Sequence, residues 1–361
     1  MYPDLLERAG YHVGFCRKGW GPGRVKPGGR KRNPAGREYK TFGDFLAQRP
    51  ADKPFCFWFG SRDPHRFYGP RSRLSPGINK DAVSVPPFLP DNDTVRNDLA
   101  HYLFEVRRFD RDVGVQLEML RRRRELENTL VVMTSDNGMP FPRCKATCYD
   151  PGVHVPLVIW WPGHIKAGTT LPDFVNLADL APTFLEAANV QTPSAMSGKS
   201  LWRLLDGNGR RSEYVVVGRE RHSAAQGTTL KGYPVRAIRT DNFLYVRNFK
   251  PGRWPVGTPP QYRDVDRSPT KRHMLHRYSE GDLRELYELS FAKRPAEELY
   301  DLRSDPHQLV NVARRSSYAS DKRRLSEILM RELTRTGDPR ARGGGDVFDT
   351  YPFYMLKRLH Q

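Results

Sequence analysis

The sequence predicts an α/β protein: a mostly parallel sheet covered by helices on both faces, then a smaller carboxyl-terminal antiparallel sheet with a helix. Three observations lead there. Residues 54–60, 129–135 and 157–161 are apolar runs, the pattern of strands buried on both faces, and are expected as neighbours in one sheet. Stretches with apolar residues at helical spacing, 95–120 above all, alternate with those runs. Beyond a Pro- and Ser-containing linker at 191–200, the chain changes to short strand patterns joined by turn residues. The division falls near residue 200, with 1–200 as the α/β domain and 201–361 as the antiparallel subdomain and tail.

Taken in order, residues 3–8 suggest a short helix and 11–16 a strand. Gly, Pro and basic residues fill 19–36, a loop composition that also suits contact with anions. A short helix is expected at 41–47, before the aromatic strand 54–60. The stretch 66–90 is long and irregular, and loops of that kind in compact domains commonly serve function. In 95–120, Val95, Leu99, Tyr102, Leu103, Val106, Phe109, Val113, Leu117 and Leu120 recur at helical spacing, with Asp93 or Thr94 as the cap. A helix around 174–188 follows the strand 157–161. In the second part, strands are expected at 214–217, 235–239 and 243–248, the last two joined through Thr240-Asp241-Asn242. Residues 249–272 read as loop, 298–302 as a strand and 321–334 as a closing helix.

Hydrophobic residues make up 38% of the 361, enough for a folded core. The formal net charge of +19 favours anionic partners: sulfated sugar, phosphate ester, nucleic acid or anionic membrane. Arginine far outnumbers lysine, which compositional bias explains equally, so charge alone selects none of them. No run of about 18 apolar residues occurs, so no membrane-spanning helix is expected. Residues 1–15 read as helix and strand rather than as a signal peptide, so the chain is expected to begin inside a fold. Cys16, Cys56, Cys144 and Cys148 are too few for a disulfide scaffold and lack zinc spacing. They read as free thiols, with a Cys144–Cys148 redox link as the alternative.

The stretch TSDNGMPFPRCKATCYD, 134–150, concentrates the chemistry. An apolar run enters Asp136-Asn137-Gly138, Lys145 follows, and Gly152, His154 and Pro156 open the next apolar run. A buried strand that ends in oxygen donors and is followed by a cation presents a metal and an anion together at the carboxyl edge of a sheet. Asp136 and Asn137 are hard donors suited to calcium, with magnesium as second choice, although the same triplet is also an ordinary turn. His65, in Asp63-Pro64-His65-Arg66, follows the strand 54–60 to the same edge, where an imidazole can donate a proton to a leaving oxygen or nitrogen. Lys145 would stabilise charge developing on an anionic group. Arg219, Arg221 and His222 end a strand of the second part. They read either as a carboxylate- or sulfate-binding set or as a surface salt-bridge cluster.

The 134–150 block, DPHR at 63–66, Lys18 near the start and EELYDLRSDPHQLVN at 297–311 together resemble the sulfatase family, its heparan N-sulfatase branch in particular. The resemblance runs over nearly the whole chain and implies an alkaline-phosphatase-like fold. It implies calcium with Asp136 and Asn137 among its ligands, and His65 and Lys145 in contact with the sulfate and leaving group. It makes Lys18 the lysine that holds the modified nucleophile, although Trp20 stands where many sulfatases have a histidine. That nucleophile is a Cys or Ser converted to formylglycine within Cys/Ser-x-Pro/Ala-x-Arg. None of the four cysteines sits in this pattern, and Ser72, Ser75 and Ser194 also fail it. The resemblance places the nucleophile and two further acidic ligands upstream of Met1, so the chain is expected to lack the formylglycine motif and to be inactive alone. The implied function is hydrolysis of a sulfate ester or sulfamate on a sugar or glycosaminoglycan. The implied setting is extracytoplasmic, periplasmic or secreted, with a sulfated carbohydrate as partner and no nucleic acid; the oligomeric state is left open. A non-catalytic anion- or glycan-binding relative and a phosphoryl-transfer member of the same fold are the other readings.

Overall fold

The computed structural model describes residues 1–21, 24–68, 77–209, 212–223, 226, 227, 229 and 231–353; Ser72 and Ser75 lie outside them. Helix α1 (Tyr2–Arg8) leads into β1 (His12–Arg17), the middle strand of a parallel sheet between β2 (Arg37–Tyr39) and β3 (Phe55–Gly60). The three-residue edge strand β2 was not foreseen; it is too short to show a period. Helix α2 (Phe42–Gln48) joins β2 to β3, and the Thr41 hydroxyl accepts the amide of Asp44 at its start. Helix α3 (Asp93–Arg122) is the long amphipathic one, capped by the Asn92 side chain on the amide of Val95. Tyr39, Phe42, Phe45, Leu46 and Leu120 form one core against this sheet. Leu6, Val13 and Leu185 form another, to which α1 and α4 (Leu180–Ala187) contribute. The parallel sheet is therefore covered on both faces, as expected.

One expectation is corrected. The runs 54–60, 129–135 and 157–161 are not neighbours in one sheet: β4 (Val131–Thr134) and β5 (Leu157–Trp160) pair antiparallel as a two-stranded ribbon of their own. Nor are they fully buried. Every residue of β4 keeps some exposure, Val158 is 48% exposed, and neither strand contributes to the hydrophobic cores found among the described residues. An apolar run says that both faces favour cover, but not which strand lies alongside.

The second sheet is antiparallel, in the order β6 (Tyr214–Arg219), β7 (Val235–Thr240), β8 (Phe243–Asn248), β9 (Glu297–Asp301). Its residues alternate between two cores. Ile238, Tyr245 and Leu299 meet Leu325, Leu329 and Leu333, whereas Val235, Ala237 and Val246 meet Cys148 and Tyr149 from the first part. Helices α5 (Pro269–Ser279) and α6 (Arg284–Ser290), absent from the sequence reading, precede β9. Helix α7 (Ala319–Arg335) carries Leu325, Leu329 and Leu333. Helix α5 packs on α3 and buries Met274 in a core shared with Val95 and Leu99. Its sequence offers no clear apolar stripe, only a start signal, in which Ser268 caps the amide of Lys271 and Pro269 opens the first turn.

Lys271 ties the preceding loop to α5: its ammonium donates to the carbonyls of Gln261, Tyr262 and Val265 at 2.6, 2.8 and 2.8 Å. Burial lowers its pKa to about 8. The native state then holds fewer protons at this site than the unfolded chain between about pH 8 and the ordinary lysine value near 10.4. Unfolding free energy should accordingly rise with pH in that window, because the desolvation penalty on the ammonium is relieved. Urea titrations at pH 8 and 9.5 check this: the rise should be smaller in Lys271→Met than in the parent. Equal slopes would mean that the amine titrates as it does in water.

Candidate functional site

Strands β1 and β3 run parallel, so Lys18 and the turn carrying His65 leave the same edge of the sheet. The amide of Lys18 donates to the carbonyl of Gly60 at 2.9 Å. A Cβ at position 60 would lie 1.6 Å from the Lys18 carbonyl oxygen, so only glycine lets the two chain ends approach this closely. Arg17, just before Lys18, is in the left-handed region at φ 63°. His65 is exposed, with Nδ1 against the carbonyl of Arg66. A carbonyl only accepts, so Nδ1 carries the hydrogen and Nε2 is the nitrogen left for a ligand. Arg66 Nε donates to the Pro140 carbonyl at 3.2 Å, which ties this turn to the loop after β4.

That loop begins with Asp136, exposed, and Asn137, half-buried, whose carbonyl accepts the Ser135 hydroxyl at 2.7 Å. The amide of Gly138 donates to the Gly152 carbonyl at 2.9 Å, and a Cβ on Gly138 would sit 1.8 Å from the carbonyl oxygen of Pro151. Further on, Arg143 is 1% exposed, donates to the carbonyls of Leu289 and Gln308, and lies over the Tyr149 ring. It fastens the loop to the second part of the chain. Arg143 and Ala146, at φ 65° and 64°, flank Lys145 in the left-handed region, a costly conformation that the packing around Arg143 holds in place. The Lys145 ammonium bonds Asp266 Oδ2 at 3.0 Å with its side chain 11% exposed.

His222 approaches from the second part. Its pKa lies below the ordinary histidine value, chiefly because surrounding protein displaces water from the ring. The Lys145 and Arg219 cations act in the same direction, and Asp264 and Asp266 oppose them. Arg219 donates to the carbonyls of Ala146 and Pro255 and lies 3.7 Å from Asp264, whose carboxylate also accepts the Ser223 hydroxyl. Arg221 instead donates to the carbonyls of Tyr351 and Pro352 and lies over the Phe353 ring. Of these three residues, His222 thus joins Lys145, Arg219 holds the loop on which Lys145 stands, and Arg221 points to the carboxyl-terminal segment. Sequence reading missed Asp264 and Asp266, which lie in an irregular loop with no periodicity or motif to mark them.

Two expectations about chemistry need correction or completion. The pattern Cys/Ser-x-Pro/Ala-x-Arg does occur once, as Ser290-Phe291-Ala292-Lys293-Arg294. Ser290 is 1% exposed at the end of α6, its hydroxyl has no hydrogen-bond partner, and Arg294 is committed to the carbonyls of Glu288 and Leu289. A hydroxyl enclosed in this way meets no substrate, so the match carries no nucleophile. All four cysteines are free, and Cys144 and Cys148 are buried in different cores, which removes the redox-link alternative. Burial pushes the Cys148 thiol up to about 11.

Asp136 and Asn137 offer three side-chain oxygens, two on the carboxylate and one on the amide, against the ~6–8 that calcium takes. Among the described residues no group of three or more His, Cys, Asp or Glu side chains is arranged to hold a metal ion. These residues do not fit a complete metal site, and no chemical step is assigned to a metal here. Nor is any described helix long and apolar enough to cross a membrane.

A parallel α/β sheet with Lys18 and His65 beyond its carboxyl edge, accompanied by an antiparallel sheet, is an arrangement suited to an anionic ligand. Comparison with known proteins narrows this. The family model described as Sulfatase matches residues 36–190, and that of the N-sulphoglucosamine sulphohydrolase carboxyl-terminal region matches 144–247. The chain belongs to the sulfatase family, with heparan N-sulfatase-like relatives. It is 32% identical over 263 residues to an ulvan-active sulfatase of Formosa agariphila, covering 72% of this chain and 42% of that protein. It is 31% identical over 330 residues to human N-sulphoglucosamine sulphohydrolase, covering 81% of this chain and 63% of that one. The chain thus spans between two fifths and two thirds of the length of these relatives. A solved structure in complex with its substrate D-glucosamine-2-N,6-O-disulfate shares the fold at a TM-score of 0.65 and 19% identity, over 94% of this chain and 83% of that one. Sulfatases in general bind a divalent metal.

Proposed function

We propose that the protein is a sulfatase-type hydrolase that cleaves a sulfate ester or sulfamate on a sugar, of the kind found in glycosaminoglycans. The observation that carries this is that Lys18 and His65 leave one edge of the parallel sheet, that Arg66 ties the His65 turn to the loop bearing Lys145, and that His222 lies beside Lys145. In this reading Lys145 and Lys18 neutralise sulfate oxygens, and His65, once Nε2 carries a second proton, gives that proton to the sugar oxygen or nitrogen as the sulfuryl group passes to the attacking nucleophile. Arg219 positions the Lys145 loop through Ala146. Residues 1–200 would form the catalytic part, and 201–361 the subdomain that lends His222, Asp264 and Asp266. Asp136 and Asn137 would be two of the residues that hold a calcium ion. An extracytoplasmic location and a sulfated carbohydrate partner go with this reading, by analogy with the named activities of the relatives.

Sulfate release from glucosamine N-sulfate, glucosamine 6-sulfate and an aryl sulfate tests it, using the full-length protein. Turnover of at least one is expected. Binding of a sulfated sugar without turnover would favour a glycan-binding relative, and faster hydrolysis of a phosphate ester would favour a phosphoryl-transfer enzyme. Turnover by residues 1–361 alone would reveal a nucleophile within them that the geometry does not show.

A further inference from the structure

Asp63 stands two residues before His65, and its carboxylate meets helix α3. Arg108 of that helix lies between two carboxylates, with Nη1 2.6 Å from Glu105 Oε2 and Nη2 3.4 Å from Asp63 Oδ2. We propose that Asp63 and Glu105 act as a carboxyl pair that keeps one proton between them and thereby positions His65. Both are then positioning residues for delivery of the His65 proton to the leaving group. The inference rests on the reading of His65 as that proton donor and goes beyond it to what holds the histidine in place.

His65 sits between two anchors to α3. On one side Arg66 is fixed to Asp98 by bonds of 2.7 and 3.0 Å. On the other side the anchor is Asp63. Within the turn, the Asp63 amide donates to the Ser61 hydroxyl at 3.0 Å and the His65 amide to the Arg62 carbonyl at 2.8 Å. The turn is short and internally bonded, so a shift of Asp63 carries His65 with it.

Charge decides how firm the Asp63 anchor is. Glu105 is buried, and its Oε1 has no hydrogen-bond partner among the described residues. The charged groups facing Asp63 are Glu105, Arg108 and Asp112 on α3 and Arg17 at the end of β1, with Arg62 and His65 on its own turn. Arg17 is taken up by Asp112 at 2.6 Å, which leaves Asp63 and Glu105 to share Arg108. The Arg108 side chain is 40% exposed, so solvent weakens its hold on either carboxylate. Two carboxylates with one screened cation between them do not both ionise easily, and a proton on one removes the repulsion. Burial raises the pKa of Asp63 above its ordinary value; Glu105 and Asp112 add to this, and Arg108 and Arg17 oppose it. The native state therefore holds more protons here than the unfolded chain from about pH 3.9 up to that raised value, and unfolding free energy falls as pH rises through the window. Once the proton leaves, Asp63 and Glu105 repel and the turn bearing His65 loosens. The proton stays with the pair throughout and is not passed to the substrate.

The test uses the full-length protein and compares kcat for sulfate release at pH 4.5 and pH 7 in the parent and in Asp63→Asn, whose amide cannot ionise. His65 loses its own proton over this range in both, so the comparison isolates the pair. The ratio of the two kcat values should be about tenfold larger in the parent, the effect of one further proton lost about one unit beyond its pKa. The difference should lie in kcat rather than KM, because His65 acts as the bond breaks. Glu105→Gln should flatten the profile in the same way, and Asp63→Asn, at a half-buried position, carries the test where the buried change impairs folding. Equal ratios in the parent and Asp63→Asn overturn the proposal, because a side chain that only fills space leaves the pH response as it was. Urea midpoints read the pair without turnover: the fall from pH 4.5 to pH 7 should be smaller in Asp63→Asn than in the parent, and equal falls also overturn it. His65→Gln separates the two readings. If it keeps full turnover, His65 is not the donor and the functional assignment fails, while the midpoints still report the pair.

Discussion

Replacing Asp98 with alanine should lower folding stability by about 3–5 kcal/mol, the usual cost of removing one partner of a buried ion pair. The Asp98 side chain is 1% exposed and that of Arg66 6%. Arg66 lies over the rings of Tyr68 and Phe141, at 4.6 and 4.8 Å. Loss of the carboxylate strands this guanidinium and also the Thr270 hydroxyl at the start of α5. Because Arg66 follows His65 and grips Pro140, the same change should misplace His65 and reduce turnover. Urea denaturation reads the stability. A loss below about 1 kcal/mol, the range of an exposed pair, would show that water reaches Arg66 freely. Asp98→Asn, which keeps the shape and one acceptor, should cost less.

The second large effect is expected at Lys145. Lys145→Ala should reduce sulfate release by about 10²–10³-fold, the usual effect of deleting one group that faces developing charge. Part of that loss would come from Asp266, which the change leaves uncompensated close to Asp264. A double variant separates the contributions. If Lys145→Ala/Asp266→Ala restores turnover, Lys145 served only to neutralise Asp266, and its assignment to sulfate fails. If the double variant stays as slow as Lys145→Ala while its thermal stability recovers, the ammonium acts on the substrate. Arg219→Ala should give a smaller loss, because Arg219 reaches Lys145 only by holding the Ala146 carbonyl.

Much of this protein was legible in its sequence because the deciding interactions are local. The 3.6-residue period of α3 and the Thr240–Phe243 turn between β7 and β8 each depend on residues a few positions apart. Asp63–Arg66 and the Asp136–Lys145 loop stood out for another reason: residue types suited to one chemistry, in a pattern that resembles the sulfatase family, each after an apolar strand. The start of α5 carried a local signal, Ser268-Pro269, but the mostly polar run after it masked the helix.

What the tertiary structure decided is the set of pairings between segments far apart in the chain. Apolar composition favours burial of β4 and β5 without naming their neighbours, and backbone hydrogen bonding then paired them with each other rather than with β3. Nothing near Lys145 in sequence announces Asp266, 121 positions away, and nothing in Arg219, Arg221 and His222 foretells that the three side chains part company. Contacts of that separation come from how whole layers stack. A single sequence records the preference of each residue to be buried, charged or bonded, and the fold selects the partner that satisfies it.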